Sequence, residues 1–363
     1  MRGLQETVSE QDEEIPETIE IRTGEEFEVD RVENFCKSNI SGLEGNLQVL
    51  QFPGGHANLT YLLRFQEREL VLRRPPFGPV GPGAHDMVRE HKVLSQLWEH
   101  FDRAPRAFAL CEDKNLIGAI FFVMERRNGV VVRNSLPEEI KNYSDVQQRI
   151  SFALVDAMCD FHSVNPKTSG LSDLGKPEGF LARQLKGWYE RWQLSKDREV
   201  KDFEKLYNWL EKNLPESPKA TLIHNDFKLD NCQFDPKNPD RVQTIFDWDM
   251  TTLGDPLVDL GTLLGYWIDS QQGGENAIVT LMAQPGFPTP SEIAERYART
   301  RNVPVESISW YASFALWKTA VVAQQIFIRF KRGQTKDERF IAFGDQVPVL
   351  CKLGLETTQG LLS

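Results

Sequence analysis

Two segments in which an apolar run leads into acidic and amide side chains place the strongest constraint on this chain. The first is LIHNDFKLDN (222–231), and the second is VQTIFDWDM (242–250). Each apolar run is rich in β-branched or aromatic residues and predicts a short strand that ends at the polar side chains. We therefore expect Asp226, Asn231 and Asp247 to converge on one site.

This ordered set fits the chemistry of a kinase. A carboxylate must accept the proton of the acceptor hydroxyl, and an amide a short loop away must hold a metal ion. A second carboxylate must bridge Mg²⁺ to the nucleotide phosphates. Asp226, Asn231 and Asp247 match these three requirements in turn. We predict that Asp226 is the catalytic residue and that Asn231 and Asp247 are the metal ligands.

Two other interpretations stay open. In a haloacid-dehalogenase-type phosphatase, Asp247 would be the nucleophile of a D-x-D-x-T element, and GDPLVD (254–259) would be the acidic motif. That motif follows Asp247 after only a few residues, whereas such a phosphatase needs most of a domain between the two. This interpretation also leaves HNDFKLDN without a role.

The other alternative is a catalytically silent module that binds a nucleotide or metabolite. The presence of Asp226, Asn231 and Asp247 together argues against it.

The hydrophobic pattern changes along the chain and predicts an α+β protein with two lobes. Residues 1–28 are acidic and poor in aromatic residues, which predicts a disordered tail. Residues 29–125 contain strand-like runs around one main helix and predict a small lobe with an antiparallel sheet. Residues 126–363 predict a larger, mainly helical lobe. Helices are expected at about 29–39, 84–101, 144–163, 179–194, 199–213, 292–300 and 308–331.

Several segments resemble the aminoglycoside phosphotransferase family, whose fold is protein-kinase-like. HNDFKLDN with IFDWDMTTLGDPLVDLGTLL is similar to the catalytic loop and metal motif of that family. FPGGHANLTYLL resembles its nucleotide loop, and LVLRRPPFGPV with AHDMVREHKVLSQL resembles its next strand and helix. WKTAVVAQQIFIRFKRGQTKDERF is similar to the subgroup that also occurs fused to acyl-CoA dehydrogenase domains. The likeness covers residues 34 to 358 and implies a two-lobed, protein-kinase-like fold.

The resemblance implies that Gly54, Gly55 and Asn58 shape a loop over the nucleotide phosphates. Glycine has no side chain, so backbone N–H groups there can approach anionic oxygens. The loop would therefore bind the phosphates through its backbone.

Four further residues are implied to bind the nucleotide. Arg73 stands where kinases usually carry a lysine, and Glu90 on the following helix would pair with it. The guanidinium of arginine is planar and rigid, whereas the ammonium of lysine is a compact point charge. This departure therefore affects the geometry of phosphate binding. Members of the resembling subgroup commonly carry arginine at this place. Met124 and Arg126 belong to a connector, 122–126, that would offer backbone groups to adenine.

Neighbouring polar residues are interpreted as structural. We expect His224 to bond to the loop backbone and His162 to be a packed core histidine. Asp255 and Pro256 have the pattern of a helix start, with an N-cap residue followed by proline. Asp259 then falls in the first turn, where a carboxylate suits the helix dipole.

Composition limits the partners and the compartment. The net charge of −11 does not suit the basic face of a nucleic-acid-binding protein. No apolar run approaches the roughly 18 residues of a membrane helix, and the N-terminal residues lack the apolar run of a signal peptide. Five widely separated cysteines fit reduced thiols. We expect a cytoplasmic monomer or homodimer that binds neither nucleic acid nor membranes.

The resemblance also implies the cofactors and the type of acceptor. Mg²⁺ would be required, and ATP or GTP would be the phosphoryl donor. The acceptor would be a small-molecule hydroxyl, carried by an aminoglycoside-like antibiotic or by a hydroxyacyl-CoA-like thioester. It would contact the helical lobe, where the sequence contains no pattern that identifies it.

Overall fold

The described residues form two compact units. One unit ends at His91 and resumes over Ala107–Arg126, and the other comprises Lys92–Arg106 and the residues from Arg127 onward. A computed structural model of the chain describes residues 17–53, 58–77, 85–274, 277, 281–335 and 338–360.

The first unit contains a five-stranded antiparallel sheet. Its strands are β1 (Gln48–Gln51), β2 (Leu59–Arg64), β3 (Glu69–Arg74), β4 (Ala107–Cys111) and β5 (Phe121–Glu125). The spatial order is β1-β2-β3-β5-β4, so β5 is an interior strand that pairs with β3 and β4. The helices are α1 (Val29–Asn39) and α2 (Met87–Leu97), of which α2 begins in this unit.

One face of the sheet forms a hydrophobic core with α1. The buried residues of this core include Val32, Cys36, Tyr61, Leu63, Leu70, Leu72, Phe121 and Val123. In each strand the two members lie two positions apart, because successive side chains point to opposite faces of a sheet. In α1 they lie four positions apart, which is one helical turn. A shift of one residue in strand pairing would expose these side chains, so the core fixes the register.

Residues 17–28 pack against this sheet, which differs from the disorder predicted for the acidic tail. Ile19 forms an antiparallel bridge with Gln51. The hydroxyl of Tyr61 donates to the backbone oxygen of Glu25 at 2.8 Å, and the Phe27 ring contacts the Tyr61 ring edge-on at 5.0 Å. The apolar side chains of this short stretch offset its acidic composition. Residues before position 17 lie outside the described part of the chain.

The second unit is mainly helical. Its helices are α3 (Val146–Ser163), α4 (Phe180–Ser195), α5 (Lys201–Lys212), α6 (Leu257–Gln272), α7 (Pro290–Arg301), α8 (Ile308–Lys331) and α9 (Ala342–Thr357). Its strands are β6 (Val130–Val131), β7 (Thr221–Ile223), β8 (Cys232–Asp235), β9 (Asn238–Ile245) and β10 (Thr252–Gly254). They form one antiparallel sheet of order β6-β8-β9 and a second pair, β10 with β7.

Most predicted helices are present within two residues of their expected bounds. The helix predicted at 84–101 is shorter, since α2 covers Met87–Leu97. Helix α9 was not predicted, and Pro348 in its interior locally disfavours a helix. Packing of α9 against α8 and α5 compensates for this local preference.

Helices α6 and α8 approach closely at a glycine. A Cβ placed on Gly261 of α6 would lie 2.6 Å from backbone atoms of Tyr311 in α8. Only a residue without a side chain allows this contact. It matters for the site below, because both helices contribute residues to it.

Two predictions from composition concern the chain as a whole. All five cysteines are free and buried, as expected for reduced thiols. Within the described ranges, the structure contains no helix whose length and apolar character would suit a membrane span.

Candidate active site

The loop of residues 224–231, which follows β7, is held by a buried carboxylate. The backbone N–H groups of His224 and Asn225 donate to the two oxygens of Asp259, each at 2.7 Å. Asn225 has a left-handed backbone with φ of +67°, and its side-chain amide donates to the backbone oxygen of Met250 at 2.8 Å. These bonds fix the turn that presents Asp226.

The structural roles predicted for two histidines are confirmed. The Nε2 of His224 lies 2.7 Å from the backbone oxygen of Phe246, so this side chain bonds to a neighbouring loop. The Nε2 of His162 lies 3.1 Å from Asp259, and its Nδ1 lies 2.8 Å from the Tyr297 hydroxyl. His162 is fully buried in this network. It therefore supports the carboxylate that holds the loop.

Asp255 lies at the start of α6, but one residue farther out than predicted, because Pro256 is the N-cap and the helix begins at Leu257. Its carboxylate accepts a hydrogen bond from the backbone N–H of Leu257 at 2.9 Å and another from the Tyr311 hydroxyl at 2.7 Å. Burial raises the pKa of Asp255 above its ordinary value, against the lowering effect of these hydrogen bonds. Asp255 therefore links the beginning of α6 to α8.

The carboxylate of Asp226 is a quarter exposed and is surrounded by hydrogen-bond donors. The amide nitrogen of Asn231 donates to its backbone oxygen at 2.9 Å and to its Oδ2 at 3.0 Å. The Tyr266 hydroxyl lies 3.4 Å from Oδ1, and the Lys228 Nζ lies 3.4 Å from Oδ2. Burial opposes ionisation, but the charges of Lys228 and Lys318 outweigh it, so the pKa of Asp226 is lowered. The group is therefore a carboxylate at neutral pH.

Asn231 and Asp247 lie at the same end of the β8–β9 hairpin. Cys232 pairs with Ile245, and the N–H of Phe246 donates to the backbone oxygen of Asn231 at 2.8 Å. Asp247 follows directly and has a left-handed backbone with φ of +66°. The hairpin therefore brings the backbones of the two predicted metal ligands close together, and the Asn231 side chain bonds to Asp226.

The donor atoms at this place fit a magnesium ion. The amide nitrogen of Asn231 donates to Asp226, so the amide oxygen is the atom of this side chain that could face a metal ion. The Asp247 carboxylate would be the second oxygen donor. Mg²⁺ is typically bound by one or two protein carboxylates plus phosphates and water. Within the described ranges, no group of three or more His, Cys, Asp or Glu side chains could hold a metal by itself.

The sequence analysis missed three residues at the Asp226 loop. Lys228 lies inside the motif and could have been found from its position there. Burial opposes its charge, but Tyr266, Asp226 and further carboxylates raise the pKa of Lys228 well above its ordinary value. Lys318 in α8 donates to the backbone oxygen of Asn225 at 2.9 Å. Tyr266 and Lys318 are distant in sequence, and no local pattern identifies them.

In the first unit, Arg73 and Glu90 form an ion pair. The Nε of Arg73 lies 2.8 Å from the Oε2 of Glu90, and the two side chains are 11% and 1% exposed. The pairing expected from the resemblance is therefore present. Because the pair is buried, loss of one partner leaves an uncompensated charge.

Of the three residues predicted for the phosphate loop, Asn58 lies within the described part of the chain. Asn58 is buried, and its Oδ1 lies 2.8 Å from the Nδ1 of His85. Its Nδ2 has no hydrogen-bond partner among the described residues, so it could donate to a ligand. Gly54 and Gly55 lie outside the described residues.

Met124 and Arg126 lie at the end of β5. Met124 is aligned with Val71 on one side and with Ala107 on the other. The side chain of Arg126, which follows the strand, lies over the Phe52 ring with its guanidinium carbon 5.4 Å from the ring centre. The segment is therefore an interior strand of the sheet rather than an edge strand.

Comparison with curated proteins identifies the family. The profile of the phosphotransferase enzyme family matches residues 48–296, which are more than half of the chain. Mouse acyl-CoA dehydrogenase family member 10 is 30% identical over 328 residues, corresponding to 88% of this chain and 30% of that protein. The chain spans less than half the length of the curated relatives that it matches.

Solved structures share the fold. A proposed aminoglycoside phosphotransferase from Ralstonia eutropha is 25% identical, with a TM-score of 0.77 and coverage of 92% of this chain and 99% of that chain. Aminoglycoside phosphotransferase APH(4)-Ia, in a ternary complex with AMP-PNP and hygromycin B, is 15% identical, with a TM-score of 0.58 and coverage of 91% and 99%. These matches confirm the predicted kinase-like fold. The chain belongs to the phosphotransferase enzyme family.

Proposed function

We propose that this protein transfers the γ-phosphoryl group of ATP or GTP to a hydroxyl of a small molecule in a Mg²⁺-dependent reaction. The observation that supports it best is the arrangement of Asp226, Asn231 and Asp247. Asn231 bonds to the Asp226 carboxylate and pairs through its backbone with the residue before Asp247. A base and two metal ligands in this order meet the requirements of phosphoryl transfer.

Asp226 is the proposed catalytic base. Its lowered pKa keeps it ionised, so it can accept a hydrogen bond from the acceptor hydroxyl and orient the oxygen toward the phosphorus. As the new O–P bond forms, the hydroxyl proton passes to the carboxylate. General-base catalysis of this kind contributes a factor of about 10² to 10⁴ in rate.

Asn231 and Asp247 are the proposed metal ligands. A bound Mg²⁺ ion would neutralise charge on the nucleotide phosphates. Lys228 is cationic and lies between Asp226 and Asp230, at 3.4 and 3.7 Å from their carboxylates. Its charge reduces the repulsion between the base and an incoming phosphate.

Seven residues are proposed to bind the nucleotide. Arg73, held by Glu90, would bind the phosphates, and the N–H groups of the loop that contains the two glycines would bind them as well. Backbone groups near the end of β5 would contact the base. The complete set is Gly54, Gly55, Asn58, Arg73, Glu90, Met124 and Arg126.

The relatives differ in the acceptor that they suggest, so we propose two acceptor classes. APH(4)-Ia was solved with AMP-PNP, which supports ATP as the donor, and with hygromycin B, which supports an aminoglycoside-like acceptor. The curated relatives are acyl-CoA dehydrogenase family members, which supports a hydroxyacyl-CoA-like acceptor.

The proposed location of the protein is the cytoplasm. Its free cysteines and its proposed use of a nucleotide are consistent with that compartment.

The substitution Asp226→Asn tests the proposal. It removes the base but keeps the size of the side chain and its contact with Asn231. We expect transfer to a panel of hydroxyl compounds, measured as ADP release, to fall by about 10² to 10⁴. The affinity for Mg·ATP should stay within about twofold, as measured by calorimetry, since a change below 0.4 kcal/mol is expected for a residue outside the nucleotide site.

Asp235→Asn is the matched control, because Asp235 lies in the same hairpin and its carboxylate accepts from the backbone of Lys237. Full activity in Asp226→Asn would exclude Asp226 as the base. A silent binding module would bind Mg·ATP without turnover in either protein. A phosphatase would instead trap beryllofluoride on Asp247 and need no nucleotide.

A further inference from the structure

Two basic side chains from different helices lie over one aromatic ring beside the 224–231 loop. The guanidinium carbon of Arg191 in α4 is 4.2 Å from the ring centre of Trp188, and the Nζ of Lys318 in α8 is 5.4 Å from it. Trp188 is buried, so its ring is a fixed surface that both cations share. We call Arg191 and Lys318 the basic pair.

The charges of the basic pair are not neutralised by an ion pair among the described residues. Within the ranges that the structure describes, neither side chain forms an ion pair, and the Nζ of Lys318 donates to the backbone oxygen of Asn225 at 2.9 Å. Burial and the charge of Arg191 lower the pKa of Lys318, although Asp226 and Asp259 oppose this effect. Removing a charge from water is unfavourable unless an opposite charge or hydrogen bonds compensate it. Lys318 is half-buried and Arg191 is exposed, so an anion that contacts both would compensate the partly buried charge of Lys318 and remain reachable from solvent.

The position of the basic pair places such an anion near the proposed base. Lys318 contacts the residue directly before Asp226, and consecutive Cα atoms are about 3.8 Å apart. The carboxylates of Asp226 and Asp230 lie 3.4 and 3.7 Å from the Nζ of Lys228, so both already have an ion-pair partner. Lys318 also stabilises the Asp226 carboxylate, whereas Arg191 is exposed and forms no ion pair with a described residue, so positive charge remains here for a ligand.

We infer that the acceptor carries a carboxylate or a phosphate, and that Arg191 and Lys318 bind this group while the acceptor hydroxyl reaches Asp226. This inference rests on the proposed function and adds the charge of the acceptor. An arginine donates two parallel N–H groups to two oxygens of an anion, and a lysine adds a point charge. A polycationic amino sugar would be repelled by the same two side chains.

A binding experiment with matched ligands tests the inference. The whole protein is first saturated with Mg·AMP-PNP and then titrated by calorimetry. The anionic ligands are 3-hydroxybutyrate, its CoA thioester and glycerol 3-phosphate. The uncharged analogues are 1,3-butanediol and glycerol, and hygromycin B is the cationic ligand. We expect at least one anionic ligand to bind about tenfold or more tightly than its analogue and than hygromycin B. Comparison among the three anions distinguishes a carboxylate from a phosphate.

Substitutions assign the binding to the basic pair. Arg191→Gln and Lys318→Gln should each weaken binding of the anionic ligand by about 10- to 100-fold, as expected for a charge-assisted hydrogen bond. Lys318→Arg keeps the charge and should retain binding, which separates loss of charge from loss of folding. Arg329→Gln removes an exposed charge from the same helix and should leave binding unchanged.

Each outcome supports or overturns the inference. Failure to bind Mg·AMP-PNP in the first step would contradict the proposed function, before the acceptor is tested. With the nucleotide bound, the inference is overturned if no anionic ligand binds, or if hygromycin B or the uncharged analogues bind as tightly. It is also overturned if Arg191→Gln and Lys318→Gln bind the anion like the unchanged protein.

Discussion

At the scale of single residues, the carboxylate of Asp226 is subject to opposing influences. Burial favours its protonated form, whereas Lys228, Lys318 and a hydrogen bond from Asn231 favour the carboxylate. The cations prevail, and the pKa of Asp226 is lowered. This balance keeps a partly buried base ionised and leaves it ready to accept a proton.

The balance predicts how activity depends on pH. A base must be deprotonated, so kcat/KM should fall as the pH drops through the pKa of Asp226 in the free enzyme. Because that pKa is lowered, the acid limb should lie below the ordinary range of aspartate. Lys228→Met removes one of the two cations and should move the limb to higher pH. The measurement is a profile of kcat/KM against pH for both proteins.

The direction of the shift is the critical result. Lys205→Met serves as the control, because Lys205 is exposed and pairs with Asp202 in α5. It should leave the acid limb where it is. An acid limb in Lys228→Met at the same or a lower pH would show that Lys228 does not set the ionisation of Asp226.

At the scale of elements, α6 holds the loop that carries the base. Asp259 accepts two backbone N–H groups and contacts His162, all within 3.1 Å, and is fully buried. A carboxylate has two oxygens for these donors, whereas an amide has one. The first turn of α6 is thus bonded directly to the left-handed residue before Asp226.

Asp259→Asn should therefore destabilise both the fold and the loop. One backbone N–H would face the amide nitrogen, and losing a buried hydrogen bond to a charged group costs about 1.5 to 3 kcal/mol. Urea unfolding measures this loss, and kcat should fall because Asp226 is no longer held in position. Mg·ATP affinity should change little.

Asp160→Asn is a suitable comparison for Asp259→Asn. Asp160 is 57% exposed and pairs with Arg103 at 2.9 Å. A surface ion pair of this kind contributes about 0 to 1 kcal/mol. If Asp259→Asn were no more destabilising than Asp160→Asn and remained fully active, Asp259 would not be the residue that holds the loop.

At the scale of the whole molecule, the sequence predicted features that depend on neighbours along the chain. Periodicity identified most helices, and the close spacing of Asp226, Asn231 and Asp247 identified the candidate site. Contacts between distant segments were not predictable in this way. Lys318 lies 93 positions from the Asn225 oxygen that it contacts, and no local pattern marks it.

Helix α9 illustrates the same limit. Pro348 lies inside it and disfavours a helix locally, so a prediction from propensity fails there. Long-range packing decides the structure instead, including a hydrogen bond from the Ser313 hydroxyl to the backbone oxygen of Gly354 at 3.0 Å. Residue preferences are weak terms that tertiary contacts can override.

The contact between α6 and α8 connects the core of the second unit with its chemistry. Asp259 of α6 and Lys318 of α8 both bond to the loop that presents Asp226. A Cβ on Gly261 would lie 2.6 Å from backbone atoms of Tyr311, which cannot rotate away as a side chain would. Separating the two helices should therefore disturb the loop as well as the packing.

A pair of Gly→Ala substitutions in helices tests this coupling. Gly261→Ala should lower the free energy of unfolding by about 1 to 3 kcal/mol through overpacking, and kcat should fall with it.

Gly187 in α4 has no atom within 4 Å of the position that a Cβ would take. Gly187→Ala should therefore stabilise the protein by about 0.5 to 1 kcal/mol, since alanine is the better helix former. Urea unfolding of both variants gives the comparison, and opposite signs are expected. Equal effects on stability, or full activity in Gly261→Ala, would show that the close approach of α6 and α8 does not position the base.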